Sequence, residues 1–267
     1  MHLDSTGKLS LDHIYAEPDP RAYFRTLRAF DYHLPQLAKP YLAKLIDERG
    51  TPTVLDVGCS YGVNAALYRC DTTMDALYAH YATEEATRLD RAGLIERDRA
   101  LVRSRDVRFV GLDVSAPALE YAHAAGFLDE AIHADLEQDA PTEQQSAVLA
   151  EADLVISTGC IGYVTERTIG RLADLPGGRR PSMAHFVLRM FSYEPVADAL
   201  AGLGYDTVAV AGVFRQRRFA STEERERILD ALRTAGVEPH ELETEGWLCA
   251  ELFLSQPTET VETRGQA

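Results

Sequence analysis

Val54-Leu55-Asp56-Val57-Gly58-Cys59-Ser60-Tyr61-Gly62 decides the fold of this 267-residue chain. An apolar run ends in a carboxylate, a glycine-bearing turn follows at once, and Val63, Ala65, Ala66 and Leu67 behind it suit a helix. A strand, a tight turn and a helix start, in that order, is how an α/β sheet holds a nucleoside-containing cofactor.

The chain beyond that stretch alternates. Strands are predicted over 53–57, 107–112, 131–133, 153–157, 184–191, 206–213 and 247–254, with helices over 62–68, 194–203 and 222–235. Such alternation implies an α/β fold with a mostly parallel sheet and helices on both faces. Residues 12–50 are rich in aromatics and prolines; Asp19-Pro20-Arg21 reads as a helix start with Asp as N-cap and Pro first in the helix, and a second helix is predicted over 35–49. The acidic residue that closes the second strand ordinarily lies about 20 positions past the glycine loop. Here Asp113 lies 57 positions after Asp56. The excess is 69–106, where Met74, Leu77, Tyr78 and Tyr81 recur at helical spacing and predict an inserted helical hairpin, either a substrate lid or a structural decoration. The expected organisation is an N-terminal helical extension or lid over 1–50, a cofactor-binding domain over 51–256 interrupted by that insertion, and a disordered polar tail over 257–267.

A formal charge of −15 argues against a nucleic-acid backbone or an anionic membrane surface as partner and favours a small, neutral or cationic molecule. Cys59, Cys70, Cys160 and Cys249 form no CxxC pair and no histidine stands at zinc-ligand spacing, so no metal site is expected. The polar N-terminus lacks the apolar core of a signal peptide, and no apolar run approaches the roughly 20 residues that span a bilayer. A cytoplasmic monomer or homodimer is the expectation. Lys8, Lys39 and Lys44 are the only lysines, a bias of high-GC bacterial genomes.

The opening stretch resembles motif I of the class I S-adenosylmethionine (SAM) dependent methyltransferases, and the strand ends downstream continue the likeness. The resemblance implies a Rossmann-like sheet of seven strands, mostly parallel with an antiparallel last strand. It implies SAM as cofactor and S-adenosylhomocysteine (SAH) as product. Asp56 would take the methionine ammonium directly or through water, and Gly58 and Gly62 would let the backbone approach, with Cys59 between them. Ser60 stands where the family's GxGxG pattern has its middle glycine, a mild departure. Asp113 would accept from both ribose hydroxyls, and Val114 would flank the adenine. Asp135 and Leu136 match the position that contacts the adenine amino group, and Ser157 and Thr158 would line the methionine and the methyl. Any one of these carboxylates could be no more than a helix cap; several successive strand ends of the expected type argue for binding.

A dinucleotide enzyme would need G-x-G-x-x-G directly after the strand, and a P-loop enzyme G-x-x-x-x-G-K-[ST]; neither is present. Methyl transfer from a sulfonium needs mainly positioning and desolvation, so no general base can be named from the sequence. Candidates for the acceptor pocket are Tyr15, Tyr23 and Tyr32-His33 in the extension, Tyr163 with Glu166 after the fourth strand, and His80 and Tyr81 in the insertion. For each, ordinary packing is the alternative. His185 reads as a core histidine, and Arg215, Arg217 and Arg218 as a solvated strand end. The segment Ser157-Thr158-Gly159-Cys160 is unlike the [DNS]-P-P-[YF] of enzymes that methylate nucleic-acid amines. The expected function is methyl transfer to O, N or C of a small, aromatic or natural-product acceptor. The alternatives are an inactive SAM- or SAH-binding partner or sensor, and a SAM-fold decarboxylase or cyclase.

Overall fold

The computed structural model describes residues 2–104 and 106–258. The parallel core of the sheet is β1 (Thr53–Val57), β2 (Arg108–Asp113), β3 (Glu130–His133), β4 (Leu154–Thr158) and β5 (Ser182–Leu188). β6 (Tyr205–Arg218) and β7 (Trp247–Pro257) follow, and the seven-stranded order is β3-β2-β1-β4-β5-β7-β6. β7 is antiparallel to both β5 and β6. This is the class I methyltransferase fold that the resemblance implied.

β1 pairs in parallel with β2 on one side and β4 on the other, Asp56 lying opposite both Gly111 and Ile156. The strand order reverses between β1 and β4, and the crevice beyond the carboxyl ends of strands at such a reversal is where ligands bind. Alternation along β1 divides its side chains between two cores: Val54 packs in one, Leu55 and Val57 in the other. The first core is closed by α3 (Leu34–Asp47), α4 (Val63–Arg69) and α8 (Ala116–Ala124), and the second by α10 (Glu166–Ala173) and α11 (Glu194–Gly202).

Ahead of the sheet lie α1 (Asp12–Tyr15) and α2 (Arg21–Arg28). The Tyr61 hydroxyl donates to the carbonyls of Ile14 (3.1 Å) and Glu17 (2.8 Å), which fastens this extension to the turn after β1. α2 begins one residue later than the sequence suggests. Pro20 is its N-cap, and Asp19 acts from outside, accepting the Arg21 N–H at 3.1 Å and pairing with its guanidinium at 2.7 Å.

The segment between β1 and β2 forms three short helices after α4 rather than a hairpin: α5 (Met74–Ala82), α6 (Glu84–Arg88) and α7 (Arg91–Arg99). Thr73, Thr83 and Asp90 each cap one with a side-chain oxygen, which explains the repeated interruption. The remaining helices are α9 (Glu143–Leu149), α12 (Thr222–Thr234) and α13 (Glu241–Thr244).

β6 runs five residues past its expected end at 213, because register shifts at Val210/Phe214 and Arg215/Arg217 let it continue beside β7. β7 extends to Pro257, where the tail was expected to begin; residues 259–267 lie outside the described residues. Among the described residues no helix is long and apolar enough to cross a membrane, and no group of three or more His, Cys, Asp or Glu could hold a metal ion.

Candidate functional site

A cavity of about 650 Å³ opens at the carboxyl ends of β1, β2 and β4, under a cover made by the N-terminal residues. Its floor is the turn after β1. Gly58 donates its N–H to the Leu112 carbonyl at 2.8 Å and sits at φ +66°, where an added Cβ would lie 2.7 Å from that of Cys160. Ser60 also has positive φ, +50°, uncommon for a non-glycine residue. What holds it is Asp113: one carboxylate oxygen accepts the Ser60 N–H at 2.8 Å and the other the Ser115 N–H at 2.8 Å. The carboxyl that ends β2 thus shapes the turn that ends β1. Burial raises the pKa of Asp113 above the usual carboxylate value, although the N–H donors oppose it. Next to it Val114 is 64 % exposed, an apolar side chain at the cavity wall with nothing packed over it.

Asp56 does not reach the cavity. It is buried, and the Asn64 amide nitrogen donates to both its oxygens at 3.1 Å and to Thr158 Oγ1 at 3.1 Å. With Asp56 ionised the carboxylate only accepts, so the Asn64 NH₂ faces it and the Asn64 Oδ1 points the other way. That oxygen is buried without a partner among the described residues, as are Ser60 Oγ and Gln216 Oε1, all three on residues of the cavity wall. Buried polar atoms are nearly always paired, and these three, unlike Arg69 Nε, His185 Nε2, Tyr205 Oη and Arg225 Nε, share one cavity. Burial, together with the charge of Asp113, pushes the Asp56 carboxyl up to about 7 against the pull of Asn64.

The cover is aromatic. Tyr23 meets Tyr15, Tyr32 and Tyr61 edge-on at 5.7, 6.5 and 5.7 Å between ring centres. Tyr15, Tyr23 and Tyr32 line the cavity, and burial raises all three phenols, Tyr15 to about 12, so each is a neutral hydroxyl. The remaining wall holds Lys8, Tyr163, Gln216 and Arg217. Arg217 is fully enclosed and pairs through both terminal nitrogens with Glu224, at 2.9 and 2.5 Å.

Of the residues expected at the cofactor, Gly58, Cys59, Ser60, Asp113, Val114 and Thr158 line this cavity, together with Tyr15, Tyr23, Tyr32 and Tyr163 from the acceptor set, while His33 meets Asp75 outside it. Gly62 lies behind the turn, and Asp56 stands behind Asn64. Ser157 faces the opposite side of β4 from Thr158 and meets His185 Nδ1 at 2.8 Å, as strand alternation requires. Asp135 is exposed and accepts the N–H groups of Glu137 (3.0 Å) and Gln138 (3.3 Å) in its own turn, while Leu136 is buried in the second core.

His80 and Tyr81 belong elsewhere. Both bind the fully buried Asp98, at 2.7 and 2.6 Å, with Tyr121 joining at 2.6 Å. Their cluster ties α5, α7 and α8 together; Tyr81 borders a separate cavity of about 550 Å³ that contains none of the strand-end residues.

Sequence reasoning missed Asn64, Lys8, Gln216 and Arg217. Asn64 had a signal, the one polar side chain in Val63-Asn64-Ala65-Ala66-Leu67. Arg217 was expected in solvent. The register shift between Arg215 and Arg217 breaks alternation, so Gln216 and Arg217 are both buried although consecutive.

No family model and no curated relative matches the chain. Among solved structures it is similar to a TehB-like SAM-dependent methyltransferase from Corynebacterium glutamicum, with 13% identity over 79% of this chain and 85% of that one and a TM-score of 0.41. It is also similar to magnesium protoporphyrin IX methyltransferase from Synechocystis with bound SAM, with 13% identity, 84% and 79% coverage and a TM-score of 0.43. A third is the [4+2]-cyclase SpnF, with 14% identity, 82% and 80% coverage and a TM-score of 0.43.

Proposed function

We propose that the chain binds SAM in the cavity at the ends of β1, β2 and β4 and transfers its methyl group to a small acceptor held under the N-terminal cover. The observation that carries this reading is the pairing of Asp113 with the turn after β1 beside the unpartnered Asn64 Oδ1. Asp113 would take the ribose hydroxyls, Val114 would flank the adenine, and Asn64 Oδ1 would take the methionine ammonium. Asp56 is then a positioning residue: its charge orients the Asn64 amide and favours the cation that Asn64 holds. SAM supplies a methyl group already activated by its sulfonium. What the protein contributes is a place for the acceptor and the exclusion of water, and the extension ahead of α3, whose Tyr15, Tyr23 and Tyr32 roof the cavity, serves as the lid.

Incubation with SAM and a panel of small acceptors, followed by mass spectrometry, tests the reaction. The expected product is heavier by one methyl group. Bound cofactor with no product from any acceptor would favour a sensor or partner subunit, and a product of unchanged mass a cyclase.

The cofactor's affinity carries a pH signature. The ionised form of Asp56 is the one that favours a bound ammonium, and its carboxyl in the free protein is pushed up to about 7. Affinity for SAH is therefore expected to be level above that value and to fall as pH drops through it, by roughly tenfold per pH unit at the steepest. The Asp56→Asn variant should lose that slope. Calorimetry at about pH 6 and pH 8 decides it, and equal affinities in the unmodified protein would remove Asp56 from cofactor binding.

A further inference from the structure

Lys8 is one of three lysines in the chain and is 8 % exposed, held inside the cavity wall. Lysine is rarely buried unless paired. Its ammonium lies 4.9 Å from the centre of the Tyr163 ring, and among the described residues no carboxylate forms an ion pair with it. The two carboxylates whose charges reach it, Asp4 and Glu224, make their hydrogen bonds to other groups, Asp4 among them to the Lys8 backbone N–H at 3.1 Å. Asp4 accepts from the Thr6 backbone, the Thr6 hydroxyl and the Tyr163 hydroxyl, at 2.8, 2.6 and 2.6 Å. Glu224 accepts from Arg217, from the Leu9 N–H at 2.7 Å and from the Ala220 N–H at 2.7 Å.

The segment that carries Lys8 is itself built in place. Leu3 and Leu9 bridge in antiparallel fashion, and the Leu9 N–H reaches Glu224 at the start of α12. The ammonium therefore does not drift into solvent, and Arg217 beside it adds positive potential. Tyr163 is 47 % exposed, so Lys8 stands just inside the mouth of the cavity, next to the loop after β4.

We propose that the acceptor carries an anionic group, in the simplest case a carboxylate on a compact apolar or aromatic body, and that this group seats on the Lys8 ammonium. The inference rests on the methyl-transfer reading and names its substrate class. It reverses what the net charge of −15 suggests: the chain is acidic as a whole, but the lysine on this cavity's lining is cationic and has no ion pair among the described residues. Leu9, Leu11 and Leu27 with the rings of Tyr15 and Tyr32 offer apolar or flat walls to the rest of such an acceptor, while Asp4 and Asp12 on the same lining leave Lys8 as the place for its anionic group. An acid in the cavity would give the buried ammonium a direct ion pair, which Asp4 and Glu224, although their charges reach it, do not make.

The test titrates benzoate, phenylacetate and 3-phenylpropionate, each beside its neutral amide, into the full chain with and without SAH. At least one acid is expected to bind about tenfold or more tightly than its amide. Lys8→Met should erase that difference and leave the SAH affinity unchanged, and Lys8→Arg should restore part of it. Equal binding of acids and amides, binding of none of the acids, or a preference that survives Lys8→Met would each overturn the proposal. So would a loss of SAH affinity in Lys8→Met, which would place the lysine at the cofactor's own carboxylate. A Lys8-dependent preference for acids in a protein that binds no SAH would instead retain this inference and remove the cofactor reading.

A second measurement needs no variant. Burial, with the charge of Arg217, lowers Lys8 to about 8, against the opposing charges of Asp4 and Glu224. The preference for acids is expected to be complete below that pH and to decline above it as the ammonium is lost, while the amides bind equally throughout. A preference undiminished as pH rises well past that value would exclude Lys8 as its source.

Discussion

Glu224→Ala is expected to destabilise the fold by about 3–5 kcal/mol, the usual consequence of removing one member of a buried ion pair. Glu224 is 0 % exposed and Arg217 3 %, so neither charge is screened by solvent. The truncation leaves a guanidinium enclosed without a counter-ion, and it strips the acceptor from the Leu9 and Ala220 N–H groups as well. Each orphaned donor adds its own desolvation penalty. Glu224→Gln keeps an acceptor in place but not the charge, and should fall between the two. In a chain of this length the alanine variant's melting temperature should drop by on the order of 10 °C. Chemical denaturation measures the loss directly; a loss below about 1 kcal/mol would mean the pair is not closed to water. Because Leu9 hangs on Glu224, the same variant should loosen the segment that holds Lys8 and abolish the preference for acids.

Asp113→Ala should weaken SAH binding by about 1.5–3 kcal/mol, or roughly 10- to 100-fold. Two losses combine. The ribose loses a charged acceptor, and Ser60 loses the bond that holds it at φ +50°. Asp113→Asn separates them in part: its amide oxygen can still accept the Ser60 N–H while the charge is gone, although its NH₂ then replaces the oxygen that accepts from Ser115. Calorimetry on variants whose melting shows them folded is the measurement. Unchanged affinity in a folded Asp113→Ala would strip that carboxylate of any role at the cofactor.

Local chemistry was legible in the sequence, and contact at a distance was not. An apolar run, a carboxylate and a glycine turn are set by neighbouring residues, so the turn after β1 and the strand end at Asp113 could be placed without coordinates. Strand alternation should have separated Ser157 from Thr158, since consecutive side chains on β4 face opposite sides. Helical spacing correctly marks Tyr81 as buried, but spacing does not say against what; its partner Asp98 lies 17 residues on. Arg217 is the clearest loss. Its environment depends on a register shift in β6 and on Glu224 in the next helix, and Arg215-Gln216-Arg217-Arg218 in isolation has the composition of a solvated strand end. Lys8 is harder still, because a polar N-terminal segment carries no periodicity that would fold it over a cavity.

The central claim is that the cavity at the ends of β1, β2 and β4 holds SAM. Calorimetric titration of the purified protein with SAM, SAH and NAD in parallel tests it most directly. Micromolar binding of SAM and SAH, with none for NAD, is the predicted result. No binding of SAM or SAH by protein freed of co-purified ligand would contradict it.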